Sequence, residues 1–444
     1  MSTGAKIEPR TLKGFRDYPP ALMIPREHLL NTARTVYRRY GFLPIDTPAL
    51  EYAEILLGKG GAESDKLVYR FKDHGDRDVA LRFDLTVPFA RFAAQHAGQL
   101  GTPFKRYAMG PVWRGENTGH GRYREFWQCD FDTIGTVSVA SDAETLLVIH
   151  DLLDSLGVGG FSIRVNHRQV LNGLLEKQGL AARSVEVLRA LDKLPKVGRE
   201  AVVAEMAATA GASTAQAEAI LTLAGLEGQP AEILNRLEKE LEGSARGLEG
   251  VHRLRDVLAV ASQAGVSPGR VSLDLSIARG LDYYTGLIFE SFLDKLPGIG
   301  SVCSGGRYDD LAGLYTKQTL PGVGASLGVD RLLAALEELG LLAGKAVTAD
   351  LLVLQFEAGY LGSCYGLARK LHAAGVGAEV YPEARKLGQQ LQQAEKRGFR
   401  LAAFAGPDER EKGLWKLKDL SNREEQLVPE ADLPGVALGR LGRS

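Results

Sequence analysis

Apolar residues recur at helical spacing near the start of the chain, with Leu29, Ala33, Val36, Tyr37 and Tyr40 falling on one face. That spacing predicts an amphipathic helix over Pro25–Tyr40, with Pro25 in its first turn and Gly41 as its stop. The pattern then changes. The stretch Phe42-Leu-Pro-Ile-Asp-Thr-Pro-Ala-Leu50 is predicted to be extended, because each proline disfavours helix at the residue before it, and Pro48 suits an edge strand. Val79–Leu85 is a further strand, followed by Pro88 and a helix carrying Phe89, Phe92 and Ala93. Arg106–Trp113 and Glu125–Ile134 are strand-like runs flanking a polar, glycine-rich loop. Strands that arrive in hairpins, with helices irregularly between them, favour an antiparallel sheet over a doubly wound one.

From about Val170 to Val266 the chain turns Ala/Leu/Glu-rich and helical, which predicts an all-α insertion. Strand-like segments return over Val271–Glu290 and Ser301–Arg331, and Gly340–Val347 marks a linker. The tail alternates again. Leu351–Phe356, Gly377–Tyr381, Leu401–Ala405 and Leu414–Leu420 are predicted strands, with helices over Tyr360–Ala374 and Lys386–Lys396. Strands separated by helices of this length indicate a small α/β domain with a mainly parallel sheet. The expected divisions are 1–169 and 267–343 for one core in two parts, 170–266 for the insertion and 344–444 for the final domain.

Composition narrows the class. With 444 residues, 45% apolar and 25% charged, the chain can build two or three cores. No apolar run is long enough to span a membrane, and Met1–Pro9 carries no secretory signal. The three cysteines, Cys129, Cys303 and Cys364, lie far apart without metal-ligand spacing, as reduced thiols of a cytoplasmic protein do, and no protein-bound metal is expected. A formal net charge of −1 gives no global attraction to nucleic acid, so any such partner would be held by local patches.

Several segments concentrate chemistry. The loop rooted at Arg114 offers backbone N–H groups and guanidinium forks suited to a polyphosphate or a nucleic-acid end, although solvated arginines on an ordinary hairpin would look the same. Asp84 and Thr86 point the same way from a strand end and could bind an ammonium group; alternatively Thr86 caps the helix that follows. Arg279-Gly-Leu-Asp-Tyr-Tyr284 combines a fixed cation with two tyrosines, which on a strand would face opposite sides. Gly305-Gly-Arg-Tyr308 is equally consistent with a turn carrying a surface arginine. Arg331 falls in a first helical turn, where a cation opposes the macrodipole and an anionic ligand would account for it. Together, Arg114, Arg279 and Arg331 with the acidic and tyrosyl groups suit a nucleoside triphosphate beside a small zwitterion. No Walker-type phosphate loop is present.

These blocks resemble the histidyl-tRNA synthetases, a family of class II aminoacyl-tRNA synthetases, over nearly the whole chain. Gly14-Phe-Arg-Asp-Tyr18 resembles the family's N-terminal entry, and Ile45-Asp-Thr-Pro-Ala-Leu-Glu51 its motif 1. The Arg114 loop resembles motif 2, and Gly328-Val-Asp-Arg-Leu332 resembles motif 3. Arg279–Tyr284 and Gly305–Tyr308 match the two histidine-specific motifs, and the tail resembles the anticodon-binding domain.

The resemblance implies an α+β class II synthetase catalytic core, an all-α insertion that touches the tRNA acceptor arm, and a C-terminal α/β anticodon-binding domain. It implies a cytoplasmic histidine–tRNA ligase that uses ATP and Mg²⁺, dimerises through motif 1 and takes histidine and tRNA(His) as partners. Carried over by position, Asp84, Thr86 and Gln128 hold the α-amino group of histidine. Asp132, Tyr284 and Tyr308 shape the imidazole pocket, with Tyr283 at its wall. Arg114 binds the α-phosphate, Phe126 stacks on adenine, Glu116 lies near its amino group and Arg331 holds the γ-phosphate. Arg279 spans the histidine carboxylate and the α-phosphate; with Arg114 it is the expected catalytic group. Arg385, Lys386, Lys396, Arg397 and Arg400 could serve RNA phosphates in the tail, or form solvated faces. Two rival functions are weaker. One is the synthetase-like regulatory subunit of ATP phosphoribosyltransferase, which typically lacks the anticodon domain; the other is an uncharged-tRNA sensor attached to a kinase, and no kinase domain is present.

Overall fold

The computed structural model describes residues 7–58, 65–277, 283–342 and 347–443. Two compact units are present, one of residues 1–16 with 29–341 and the other of residues 17–28 with 342–444.

Helix α1 (Pro20–Arg39) starts a turn and more before the expected Pro25. The N–H groups of Leu22 and Met23 both reach the Pro19 carbonyl, at 2.8 and 2.9 Å, so the first turn closes there. Pro20 takes a first-turn position whose N–H would have no partner, and Pro25 sits inside the helix at the cost of one bond. Leu29, Ala33, Val36 and Tyr37 are buried as their spacing predicts, Tyr40 only half-buried. Gly41, at φ +77°, ends the helix.

Short strands β1 (Leu43–Pro44) and β2 (Leu50–Tyr52) and helix α2 (Ala53–Leu56) follow, then β3 (Arg70–Lys72) and β4 (Asp78–Leu81). β2, β4 and β3 form a small antiparallel sheet. The strand expected to reach Leu85 stops at Leu81 because Arg82 turns away. Its Nη1 donates to Thr47 O at 2.5 Å and its Nε to Pro111 O at 3.0 Å. Helix α3 (Thr86–Leu100) begins four residues later.

The main sheet is built on the expected hairpin. β5 (Phe104–Trp113) pairs antiparallel with β6 (Glu125–Ile134), from Phe104 opposite Ile134 to Trp113 opposite Glu125. After α4 (Val139–Ser155) come β7 (Phe161–His167), β8 (Val271–Leu273), β9 (Leu287–Leu293), β10 (Cys303–Tyr308) and β11 (Gly322–Gly328), which runs into a helix. The order is β1-β5-β6-β11-β10-β9-β7-β8, antiparallel except for the parallel pairs β1/β5 and β7/β8 at its two edges. Pro44 lies on the outermost strand, where its missing N–H costs no ladder bond. Between β7 and β8 the chain is helical: α5 (Arg168–Lys177), α6 (Ser184–Leu191), α7 (Leu194–Val197), α8 (Arg199–Ala210), α9 (Thr214–Ala224), α10 (Pro230–Glu240) and α11 (Ala245–Gln263). This run matches the Ala/Leu/Glu-rich stretch and belongs to the same unit as the sheet. Helix α12 (Val329–Glu338) follows β11 directly.

The second unit contains β12 (Leu351–Val353), α13 (Leu361–Ala373), β13 (Ala378–Val380), α14 (Leu387–Arg397), β14 (Leu401–Phe404), α15 (Pro407–Glu411), β15 (Leu414–Asp419), β16 (Glu425–Pro429) and α16 (Leu433–Leu441). Leu351 and Val353 pack into one apolar cluster, Leu352 and Leu354 into another, so this strand is covered on both faces. The sheet order is β13-β12-β14-β15-β16, and the expected mainly parallel sheet is instead mixed. β13, β12 and β14 are parallel, whereas β14/β15 and β15/β16 are antiparallel. The last strand escapes a pattern search because only Val428 turns inward along it.

Candidate active site

Strand β6 is the spine of the site. Side chains alternate along a strand, so Phe126, Gln128, Asp130 and Asp132 share one face while Cys129 and Phe131 share the other. The second face packs on α1, with the Tyr37 hydroxyl donating to Cys129 O at 2.9 Å and the Tyr37 and Phe131 rings 5.1 Å apart. The first face therefore has a fixed orientation, and a cavity of about 350 Å³ opens over it. That volume lies within the usual range for small-ligand sites.

Asp84, Thr86, Gln128, Tyr283 and Tyr284 line this cavity together with Arg114, Glu116, Phe126 and Arg331. Asp132 and Tyr308 do not reach its surface; they lie beneath it, 3% and 2% exposed, with the Tyr308 hydroxyl donating to Asp132 Oδ1 at 2.5 Å. Arg279 lies outside the described residues.

Asp84 is held by two bonds within the protein: its Oδ1 accepts the Val87 N–H at 3.0 Å, in the first turn of α3, and its Oδ2 accepts the Tyr283 hydroxyl at 3.3 Å. Thr86 is the first residue of the helix rather than its cap. Tyr283 and Tyr284 sit in a turn before β9, not on a strand, so their rings do not diverge. They meet edge to face at 5.1 Å, and Tyr283 lies 5.9 Å from the Tyr308 ring. Burial raises the pKa of all three hydroxyls, which therefore remain protonated hydrogen-bonding groups. Burial also raises Asp84, against the lowering effect of the Val87 N–H and Arg114, and raises Asp132, against Arg106. The Oε1 of Gln128, buried on the cavity wall, has no hydrogen-bond partner.

Arg114 and Arg331 are anchored rather than solvated. Arg114 donates Nε to Phe83 O at 2.8 Å, stands over the Phe126 ring at 5.1 Å, and brings Nη1 within 3.7 Å of Glu116. Arg331 donates Nη1 to Ser301 O at 2.6 Å. Its neighbour Asp330, in the same first turn of α12, accepts the Trp127 N–H at 2.6 Å and supplies the negative charge a helix start favours. Arg307, which fitted a surface turn equally well, is on strand β10 and 4% exposed, paired with Asp142 and Asp309.

Sequence reasoning missed the cavity floor. Glu290, Ser304 and Ser326 line it and stand opposite one another on β9, β10 and β11, and Asp130 on β6 continues the row. Each is a polar residue on the strand face beneath the cavity, and that parity was the available signal. Asp130 also lies midway between Gln128 and Asp132, two of the positions named on β6. Among the described residues, no group of three or more His, Cys, Asp or Glu side chains could hold a metal alone.

A protein-family model described as histidyl-tRNA synthetase matches residues 14–332, and one described as anticodon binding domain matches residues 350–439. A histidine–tRNA ligase of Rhodopirellula baltica is 57% identical over 422 residues, covering 95% of this chain and 96% of that protein. One of Wolinella succinogenes is 47% identical over 422 residues, with the same coverage of both chains. The crystal structure of a histidyl-tRNA synthetase from Nostoc sp. PCC 7120 superposes with a TM-score of 0.90 at 34% identity, covering 98% of this chain and 100% of that one.

Proposed function

The chain belongs to the histidyl-tRNA synthetase family, and from that premise we propose how its residues divide the work of a histidine–tRNA ligase. The enzyme activates histidine with ATP and transfers it to the 3′ end of tRNA(His).

The observation that carries the division is the common face of β6, where Phe126, Gln128 and Asp132 follow one another at strand spacing. Six residues of strand span about 20 Å, enough to carry an adenine at one position and an amino-acid side chain at another. The unpartnered Gln128 Oε1, with Asp84 and Thr86, offers acceptors to the α-ammonium group of histidine. Tyr283 and Tyr284 wall the imidazole, and the Asp132–Tyr308 pair beneath fixes a polar floor. A site that hydrogen-bonds both ring nitrogens rejects apolar analogues, because they leave buried polar groups unpaired.

Phe126 stacks on adenine with Glu116 near its amino group, Arg114 faces the α-phosphate and Arg331 the γ-phosphate. Arg279, placed by resemblance, spans the histidine carboxylate and the α-phosphate. The carboxylate attacks the α-phosphorus in line and pyrophosphate leaves. Charge grows on the nonbridging oxygens, where guanidiniums already held in place stabilise it without reorganising. A carboxylate is already a nucleophile, so this step needs no general base. The terminal ribose hydroxyl of tRNA then attacks the activated carbonyl, the mixed-anhydride bond to AMP breaks, and AMP leaves as the hydroxyl gives up its proton and the aminoacyl ester forms.

Mg²⁺ would enter with the phosphates, since it usually keeps waters and takes only one or two protein carboxylates; Glu290, flanked by Ser304, is the floor group suited to face it. Its chemistry is to neutralise the departing pyrophosphate.

A homodimer is supported by exposed apolar side chains on the first three strands: Leu43 (56%), Tyr52 (52%) and Phe71 (47%). Anticodon recognition falls to the second unit, where Phe356, Tyr360 and Tyr365 are exposed and Arg410 lies against the Tyr360 ring. There, Arg385, Arg397 and Arg400 are engaged with Glu383, Glu379 and Asp419, so any phosphate contact by them competes with an ion pair. No helix among the described residues is long and apolar enough to cross a membrane, in keeping with a cytoplasmic enzyme. Charging of tRNA transcripts with labelled amino acids tests the proposal: histidine on tRNA(His) is expected to give acid-precipitable label. Charging with a different amino acid instead would refute it.

A further inference from the structure

The turn that carries Tyr283 and Tyr284 is tied down from two sides. Thr285 gives its N–H to Arg307 O at 2.8 Å and its hydroxyl to Asp309 Oδ2 at 2.9 Å. That hydroxyl also accepts the Asp309 N–H at 3.0 Å. On the other side, the Thr285 carbonyl accepts Gln169 Nε2 at 2.9 Å, and the Gly286 carbonyl accepts the Arg168 N–H at 2.8 Å. Arg168 and Gln169 open α5, the first helix of the helical run.

Arg307 is in turn fixed from behind. Its guanidinium donates Nε to Asp142 Oδ1 at 2.9 Å, Nη2 to Ser141 Oγ at 3.0 Å, and Nη1 to Thr136 O and Asp309 Oδ1 at 3.1 and 2.9 Å. Asp142 is fully buried in the first turn of α4, and its second oxygen lies 2.7 Å from Arg253 Nε. Arg253 comes from α11, the last helix of the run, and also donates to Val137 O. Two guanidiniums from different elements thus share one carboxylate that has no water to replace either. His167, beside both, is itself buried; burial first, then the two guanidinium charges, lower its pKa to about 3, so it adds no charge to the clasp.

We propose that Arg253 and Gln169, both contributed by the helical run, are positioning residues for the histidine end of the cavity. Arg253 acts through Asp142 on Arg307, the residue before Tyr308, and Gln169 acts on Thr285, the residue after Tyr284. Together they hold strand β10 and the tyrosine turn so that Tyr283 meets Asp84 and Tyr308 meets Asp132. Arg114 and Phe126 are anchored elsewhere, on Phe83 and on each other, so loosening the clasp affects histidine rather than ATP. The inference rests on the histidine reading of the site given above.

The test is histidine-dependent ATP–pyrophosphate exchange on Arg253→Ala, Arg253→Lys and Gln169→Ala, with KM measured separately for histidine and ATP. Loss of one of the two guanidiniums paired with the buried Asp142 carboxylate predicts a rise of about tenfold in KM for histidine in Arg253→Ala, and loss of one neutral bond a rise of about threefold in Gln169→Ala. KM for ATP is expected to stay within about twofold, and lysine at 253 to recover part of the effect, since it can still meet one oxygen. Equal rises in both KM values overturn the proposal. If Arg253→Ala does not fold, Gln169→Ala decides, because half-buried Gln169 gives the turn only one bond; an unchanged KM for histidine there also overturns it. Wild-type exchange that does not depend on histidine is a distinct result, removing the histidine reading and the proposal with it.

Discussion

Arg106 and Asp132 form an ion pair, Nη2 to Oδ2 at 2.6 Å, although neither touches solvent: they are 0% and 3% exposed. The Tyr308 hydroxyl takes the other carboxylate oxygen, and the Arg106 guanidinium lies 4.4 Å from the centre of the Phe89 ring. Burial raises the Asp132 pKa, and Arg106 is the main influence holding it down. Such a pair contributes little net stability when formed but is costly to break on one side, because the remaining charge has no water.

Arg106→Met is therefore expected to destabilise the fold by about 3–5 kcal/mol, with Arg106→Met/Asp132→Asn recovering much of the loss. Urea unfolding of the two variants and the wild type checks both statements. A double variant as unstable as the single one would contradict them.

Asp130, beside this pair, gives a pH signature. Burial, together with the nearby Asp132 carboxylate and against the pull of Arg106, pushes its pKa from 3.8 to about 7, and its Oδ1 has no hydrogen-bond partner. A folded pKa above the unfolded one means that the folded state binds the extra proton between the two values. This stabilisation is full below about pH 4 and lost as pH rises through about 7. Buried His167, with its pKa depressed, contributes the opposite slope at acidic pH, so the comparison must be made against Asp130→Asn rather than on the wild type alone. The stability advantage of Asp130→Asn over the wild type is expected to grow between pH 5 and pH 8. An advantage that does not change with pH would show that Asp130 is not held protonated.

Gly324 faces Asp132 across β11 and β6. A Cβ there would lie 2.3 Å from both Asp132 Oδ1 and Phe131 O, and a backbone oxygen in a sheet cannot step aside. Gly324→Ala is predicted to cost about 1–3 kcal/mol and to raise KM for histidine, whereas Gly119→Ala, with nothing within 4 Å, is predicted to be neutral in stability. Thermal melts with exchange kinetics on the two variants provide the check.

Phe126→Leu removes the ring that Arg114 stands over, and base–aromatic stacking is worth about 1–3 kcal/mol, so KM for ATP is expected to rise by about five- to a hundredfold. KM for histidine should move less. Inhibition by free adenosine, weakened in the same variant, would locate the loss at the base rather than at the phosphates.

The Arg114 loop was legible because it is bounded by runs of recognisable strand composition, whereas Phe126, Gln128 and Asp132 were named from the family resemblance; the parity of β6 puts those three on one face. The same parity, followed further, would have found Asp130, Glu290, Ser304 and Ser326. Parity failed where the chain leaves the strand. Tyr283 and Tyr284 lie in a turn, so their shared side depends on bonds to Gln169, Arg307 and Asp309 that no local pattern encodes. Arg307 fitted a surface turn as well as a buried site because its partner Asp142 is far away in sequence. In the second unit β16 was missed for a simpler reason: a strand that buries one side chain has no alternation to detect.

If the cavity joins histidine to the α-phosphate of ATP with Arg114 and Arg279 as guides, pyrophosphate exchange into ATP, without tRNA, separates the wild type from Arg279→Ala. Exchange that requires histidine and Mg²⁺ and collapses in the variant is the predicted result. A folded wild type that shows no histidine-dependent exchange, or a variant that exchanges at the wild-type rate, would contradict it.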